Sequence, residues 1–241
     1  MPQPEWTQVI DQVQSYFKQQ AELAGSELFG VDVTPLRSIQ LDPDSGALRA
    51  IEQIVRTCQN CALSKTRNHV VFGMGNPTAN LMLIGEAPGE EEDKQGVPFV
   101  GKAGQLLDKI LAAIGFQRSE IYIANILKCR PPSNRDPNPD EIEQCKPHLD
   151  QQIAAIQPKV ILALGRIAGQ TLLKSEAPLG RLRKETHAYQ GVPLIVTYHP
   201  AALLRNPQWK KATWEDVQNL RRLYDRLAGD KPAWSPPTSK N

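Results

Sequence analysis

The chain has no apolar run approaching the ~20 residues that a membrane-spanning helix needs. Its first residues, Met1-Pro2-Gln3-Pro4-Glu5, show no basic patch leading into an apolar stretch, so no export signal is read there. That start points to the cytoplasm, where thiols stay reduced and structural disulfides are rare. Cysteine is scarce: Cys58, Cys61, Cys129 and Cys145 are the only four. Aromatic residues make up 6 % of the chain and histidines number 4, so a Phe or His placed at a loop is worth weighing as a functional group. Charge of one sign is lacking only in bulk. The net charge is +2, yet residues 159–241 hold 14 Lys/Arg against 6 Asp/Glu, and residues 1–57 hold 4 against 8. A basic C-terminal third suits a phosphate-rich partner or a solvated basic surface, and charge alone favours the solvated surface.

What is present begins with four short apolar runs, Leu81–Ile84, Ile121–Ala124, Val160–Leu164 and Leu194–Thr197. They are continuous rather than alternating, as in strands buried on both faces. Helical patterns separate them: Leu106, Leu107, Ile110, Leu111 and Ile114, then Ile153, Ala154 and Ile156, then Ile167, Ala168, Leu172 and Leu173. Strand–helix alternation predicts an α/β fold with a parallel sheet between helices. Residues 1–46 read as a separate, partly helical extension, with helical periodicity over Trp6–Leu28 and a Pro/Asp/Gly-rich stretch at Asp42–Gly46. Residues 47–228 form the main domain, and the polar, proline-bearing tail 229–241 is expected to be disordered.

In open α/β sheets ligands bind beyond the carboxyl ends of the strands. The groups found there are Gly85-Glu86-Ala87-Pro88-Gly89, Asn125, Gly165-Arg166 and Tyr198-His199-Pro200. The glycines of the first turn allow a ligand to approach backbone N–H groups, or simply make a strand-to-loop turn. The following Glu90-Glu91-Glu92-Asp93 reads as a solvated acidic face. Phe99, between loop glycines, can stack on a flat ring or plug the core under the loop. Asn125 can pair with a base edge through its donor and its acceptor, or cap the strand. Pro200 holds His199 extended at the sheet edge. Leu203-Leu204-Arg205 offers apolar tips and a cation for a base stack and its phosphates, or else the first turn of a core helix. The Cys58-Gln59-Asn60-Cys61 pair is a redox motif taken alone. Four-thiolate ligation accounts for all four cysteines, and spacing does not separate zinc from an iron–sulfur cluster.

The ordered set of Cys58-x-x-Cys61, Gly85–Gly89 with Glu92-Asp93, Pro98–Gly101, Tyr122–Asn125 running into Lys128–Pro132, Cys145, and His199-Pro200-Ala201 with Leu203-Leu204-Arg205 resembles the iron–sulfur (family 4) uracil-DNA glycosylases over roughly 47–227. The resemblance implies a three-layer α/β/α domain with a four-stranded parallel sheet. It implies a [4Fe-4S] cluster, in preference to zinc, on Cys58, Cys61, Cys129 and Cys145. It implies a monomeric, monofunctional enzyme that removes uracil from DNA. Gly85, Glu86 and Ala87 would touch uracil, Phe99 would stack on it, Asn125 would read its edge, and His199 would contact O2. Related families often carry Asp or Asn where Ala87 stands, so either Glu86 binds or positions water or stabilisation of the leaving base carries most of the rate. Glu92 is assigned to thymine exclusion, and Leu203, Leu204 and Arg205 to a DNA wedge. Residues 1–46 lie outside the resemblance and are either a docking segment for a repair or replication partner or simply an extension. The competing reading is a non-catalytic iron–sulfur protein that binds DNA or senses redox state.

Overall fold

In a computed structural model of the protein, residues 27–28, 31–32, 46–232 and 234–236 are described. The chain divides into two units, Met1–Pro43 and Asp44–Asn241. In the first, strands β1 (Glu27–Leu28) and β2 (Val31–Asp32) pair antiparallel. The helical pattern read over Trp6–Leu28 falls outside the described residues except at its last two positions, which are strand.

The second unit is built on a six-stranded sheet. After α1 (Gly46–Arg56) and β3 (Met74–Gly75) come β4 (Leu81–Gly85), α2 (Glu90–Gln95) and α3 (Lys102–Ala113). Next are β5 (Tyr122–Asn125), α4 (Pro139–Ile156), β6 (Val160–Leu164), α5 (Arg166–Leu173) and α6 (Leu179–Leu182). The chain continues through β7 (His187–Tyr189), β8 (Val192–Thr197), α7 (Pro200–Arg205) and α8 (Lys210–Leu227). The strand order is β3-β5-β4-β6-β8-β7. The four inner strands are parallel and correspond to the four apolar runs, while β3 and β7 add short antiparallel edges. Four strands were expected and six are found. The edges have 2 and 3 residues, too few to show a period in sequence. β7 joins β8 through Gln190-Gly191, both at positive φ (50° and 81°), the geometry of a two-residue hairpin turn.

The alternation of side chains along each strand splits the core into two layers. On one face Met82, Ile84, Tyr122, Ala124, Ile161 and Ala163 pack with Leu149 and Ile153 of α4 and Ala168 and Leu172 of α5. On the other face Leu81, Leu83, Ile121, Ile123, Leu162 and Ile195 pack with Leu107 and Leu111 of α3 and Val217 and Leu220 of α8. This is the expected α/β/α sandwich. Each fully buried Leu or Ile contributes about 1.5–3 kcal/mol of transfer free energy. No helix among the described residues is long and apolar enough to cross a membrane.

The start of the tail, expected to be disordered, is held against the domain at the residues described. Tyr224 Oη and Asn80 Nδ2 donate to the Asp230 carboxylate at 3.0 and 2.8 Å, and Lys231 pairs with Glu120 at 2.7 Å. Arg221, 2 % exposed, donates to the Pro232 carbonyl, and Trp234 Nε1 donates to the Ala113 carbonyl at 3.2 Å. These partners lie up to 150 positions away, and composition alone does not register them.

Candidate active site and thiol site

Parallel pairing sets the strand ends flush: Gly85 is opposite Asn125, and Leu164 is opposite Thr197. The loops leaving β4, β5, β6 and β8 therefore open on one edge. There they line a cleft of about 660 Å³ that holds Glu86, Ala87, Phe99, Asn125, Arg166 and His199. Gly85, Phe99 and Asn125 meet closely. A Cβ on Gly85 would stand 2.3 Å from Asn125 Oδ1 and 2.8 Å from the Phe99 ring, so the approach requires glycine. The Phe99 and His199 rings stack at 5.4 Å between centroids, 29° apart. Phe99, Asn125 and His199, scattered over a hundred positions of sequence, share one pocket.

Asn125 is 1 % exposed, and its Oδ1 is buried without a hydrogen-bond partner. An unmet buried acceptor costs about 1–3 kcal/mol. Its position on the cleft offers it to a ligand N–H. Below it, Lys128, itself 1 % exposed, donates from Nζ to the Asn125 carbonyl at 2.9 Å and to Gln152. Burial lowers the Lys128 pKa to about 8.

Phe99 has φ 54°, unusual for a non-glycine residue, and contacts from two sides hold it there. Arg118 donates to the Phe99 carbonyl at 2.9 Å and to the Pro98 carbonyl, and its guanidinium pairs with Asp108 at 3.1 Å. Glu92 accepts from the backbone N–H groups of Gly89, Val100 and Gly101 at 3.1, 2.9 and 3.0 Å. Gly104 completes the clamp, since a Cβ there would fall 1.8 Å from the Phe99 carbonyl oxygen. The acidic run is thus only half solvated. Asp93 is 1 % exposed and accepts from Asn68 N at 2.9 Å. Sequence reading missed Arg118 and the clamping contacts of Glu92. The i, i+3 spacing of Gly89 and Glu92 at a helix start is the one local signal for them.

His199 precedes α7, and its Nδ1 accepts from the Ala201 N–H at 3.1 Å. The neutral ring therefore carries its proton on Nε2. Burial, helped by the nearby Arg205 charge, pushes its pKa down to about 4, against a smaller opposing pull from Glu92. Glu86 follows β4 and borders the cleft. Burial raises its carboxyl to about 7, the Asp136 charge adds to this, and Arg166 opposes it. Arg166 itself pairs with Asp136 at 2.8 Å. Ala87 borders the cleft with no ionisable group.

The expected Leu203-Leu204-Arg205 wedge is divided. Leu203 is 1 % exposed and belongs to the interior, while Leu204 is 47 % exposed and Arg205 is exposed. Consecutive helical residues point about 100° apart, so the three side chains do not share one face. Leu203 is corrected from wedge tip to core residue.

Cys58, Cys61, Cys129 and Cys145 are unpaired and line one small hole, together with Arg67, Lys128 and His148. Arg67 Nη1 donates to Cys129 Sγ at 3.2 Å, and the Lys128 N–H donates to Cys145 Sγ at 3.2 Å. His148 Nε2 is buried with no partner. Burial raises the Cys129 thiol, and pushes the Cys145 thiol up to about 11. Among the described residues no group of three or more His, Cys, Asp or Glu side chains is gathered so as to hold a metal ion. The donor set nevertheless fits a sulfur-rich group: four thiols, a guanidinium and a backbone N–H donating to sulfur, and an imidazole nitrogen in want of a partner. No residue lines both this hole and the cleft.

The profile of the Uracil DNA glycosylase superfamily matches residues 72–218. The chain is 41 % identical over 187 residues to a type-4 uracil-DNA glycosylase of Archaeoglobus fulgidus, covering 73 % of this chain and 94 % of the relative. It is 44 % identical over 183 residues to that of Saccharolobus solfataricus, covering 72 % and 85 %. With that of Thermotoga maritima the identity is 38 % over 183 residues, covering 74 % and 95 %.

Proposed function

The chain belongs to the uracil-DNA glycosylase superfamily, as a type-4 member, and on that footing we propose that it flips uracil out of DNA and hydrolyses its N-glycosidic bond. The observation that carries the reading at this site is the partnerless Oδ1 of Asn125 beside Phe99 and His199. Uracil presents N3–H to that oxygen and O4 to the amide N–H. Cytosine presents a bare N3 and an amino donor, so both amide groups would be mismatched, at about 1–3 kcal/mol each. Phe99 stacks on the base, and its strained backbone is kept in place by Arg118 and Glu92. Through this clamp Glu92 governs what fits beside C5, and thymine is excluded by the fixed loop.

In the reaction the C1′–N1 bond breaks and its electron pair leaves with the base. Negative charge grows on O2, where His199 Nε2–H donates to it; the depressed pKa keeps this ring neutral at working pH. Water adds to C1′, and Glu86 takes the proton from that water, the released anion being protonated afterwards. A carboxyl raised to about 7 suits a base that works near neutrality. Leu204, exposed on α7, fills the gap left by the base, and Arg205, exposed on the cleft lining, meets phosphate.

The four thiols hold a [4Fe-4S] cluster, in preference to zinc. When bound it cross-links the segment after α1 to the end of β5 and to α4, apart from the cleft and outside the reaction. Arg67 and the Lys128 amide, which donate to Cys129 and Cys145 sulfur, would steady the ligand thiolates, and His148 lines the same hole. The protein acts as a cytoplasmic monomer on DNA, with residues 1–46 available to a repair or replication partner. Of that segment only β1, β2 and Gly46, the first residue of α1, are described.

The test is incubation of the iron-loaded protein with a uracil-containing oligonucleotide, followed by alkali. Strand scission at the uracil position is expected; strands that stay intact reject the assignment.

A further inference from the structure

The cleft is larger than its proposed occupant. About 660 Å³ falls in the range, roughly 300–1,000 Å³, that encloses a drug-sized molecule, and one pyrimidine ring uses only part of it. Glu86, Phe99, Asn125 and His199 are the lining residues already given a task. Tyr198 and Trp209 line the same cleft and have no task in the chemistry described.

These two rings are stacked at 4.8 Å between centroids, only 16° from parallel. They are also braced. The Arg183 guanidinium sits over the Tyr198 ring at 5.4 Å. It is locked in turn by two bonds to the Asp216 carboxylate at 2.9 and 2.8 Å and by the Ala212 carbonyl. Asp216 is 4 % exposed and also accepts from Thr197 Oγ1 at 2.7 Å, which ties the brace to the end of β8. Trp209 is fixed by its own N–H to the Asn206 carbonyl at 3.1 Å, and its carbonyl accepts from Thr213 Oγ1 at 3.1 Å. Both rings are partly exposed, and Arg205 stands exposed on the same lining. A rigid, partly solvated aromatic pair beside a cation matches the chemistry of single-strand binding, in which a base stacks on the ring and the cation meets phosphate.

We propose that the Tyr198–Trp209 pair is a second nucleobase subsite, which stacks a base of the substrate strand adjacent to the flipped uridine while Arg205 meets the phosphate between them. The inference rests on the uracil-excision reading and extends it: the strand is gripped at two bases, one held for cleavage and one for register. Stacking serves any base, because every base has a π face, so the subsite discriminates the presence of a base rather than its identity.

The test uses single-stranded oligonucleotides with one uracil, whose 5′ or 3′ neighbour is either thymidine or a tetrahydrofuran residue that lacks a base. For the unmodified protein, kcat/KM falls roughly tenfold or more when the base is removed on one side, and little on the other. Trp209→Phe, which keeps a ring, retains that ratio. Trp209→Leu, which keeps apolar bulk without a π face, brings it close to one. A full ratio in Trp209→Leu, or no flank effect in the unmodified protein, overturns the proposal. Failure of the uracil reading looks different: no oligonucleotide in the set then yields an abasic product.

Discussion

Asn125 shows most clearly how one side chain can store a preference. Its Oδ1 is buried, unpartnered and too close to Gly85 for any larger residue there, so the site is costly until a ligand N–H arrives. Asn125→Ala removes the discriminating pair, and kcat/KM for uracil is expected to fall by at least about tenfold, read as release of free base. Glu86 and His199 make opposite predictions with pH. The Glu86 carboxyl is raised to about 7, so as a base it gains activity as pH rises through that value, and Glu86→Gln should lose this limb of the kcat profile. For stability the sign is reversed: the folded state holds the Glu86 proton more tightly, and its contribution is lost as pH rises from 4.5 to about 7. His199 is depressed from 6.5 to about 4, so the unfolded chain binds the proton first, and stability is lost as pH falls through that window. Thermal melts of His199→Asn against the unmodified chain should show a shallower loss between those two pH values. An identical pH dependence would contradict the burial of a neutral imidazole.

Among the elements, the four inner strands were legible because burial on both faces leaves continuous apolar runs, whereas β3 and β7 were too short to leave a pattern. Their C-terminal groups were legible too, since in a parallel sheet the residues after each strand gather on one edge. The loop that carries Phe99 was not. Its conformation depends on Arg118, 19 positions away in sequence, and on a carboxylate at Glu92 that reads as part of a solvated acidic run. Glu92→Gln keeps the shape and loses the charge-assisted bonds to Val100 and Gly101. It should raise KM more than it lowers kcat, and equal effects on both would argue against a positioning role. In α7 the alternation of buried and exposed residues separates packing from contact. Leu203→Ala should cost about 2–5 kcal/mol of stability in denaturant melts. Leu204→Ala should leave stability within about 0.5 kcal/mol and weaken DNA binding instead. If the two variants behaved alike, the division of the expected wedge would be wrong.

At the scale of the molecule, two sites share the sheet. The cleft lies at the carboxyl edge of the inner strands, and the thiol hole joins the segment after α1 to β5 and α4. Lys128 stands between them, with its amide on Cys145 and its ammonium on the Asn125 carbonyl. The thiols were legible as a set from their count and scarcity, while the cation and imidazole around them come from folding alone. Removing iron with a chelator should lower the melting temperature and return all four thiols to titration, because the group's binding energy is folding energy. A chain whose melt is indifferent to chelation would contradict the cross-linking role. Of the cations of residues 159–241, Arg166 and Arg205 line the cleft, where the proposed DNA substrate would bring its phosphates.

The most direct check of the central claim, that one pocket formed by four strand ends recognises and releases uracil, is single-turnover release of free uracil from a DNA oligonucleotide. It is measured for the unmodified chain and for Asn125→Ala, with DNA affinity recorded beside it. Rapid release by the unmodified chain is expected, with a large loss in Asn125→Ala at nearly unchanged affinity. Binding without release in both chains would contradict it and leave a protein that only holds DNA.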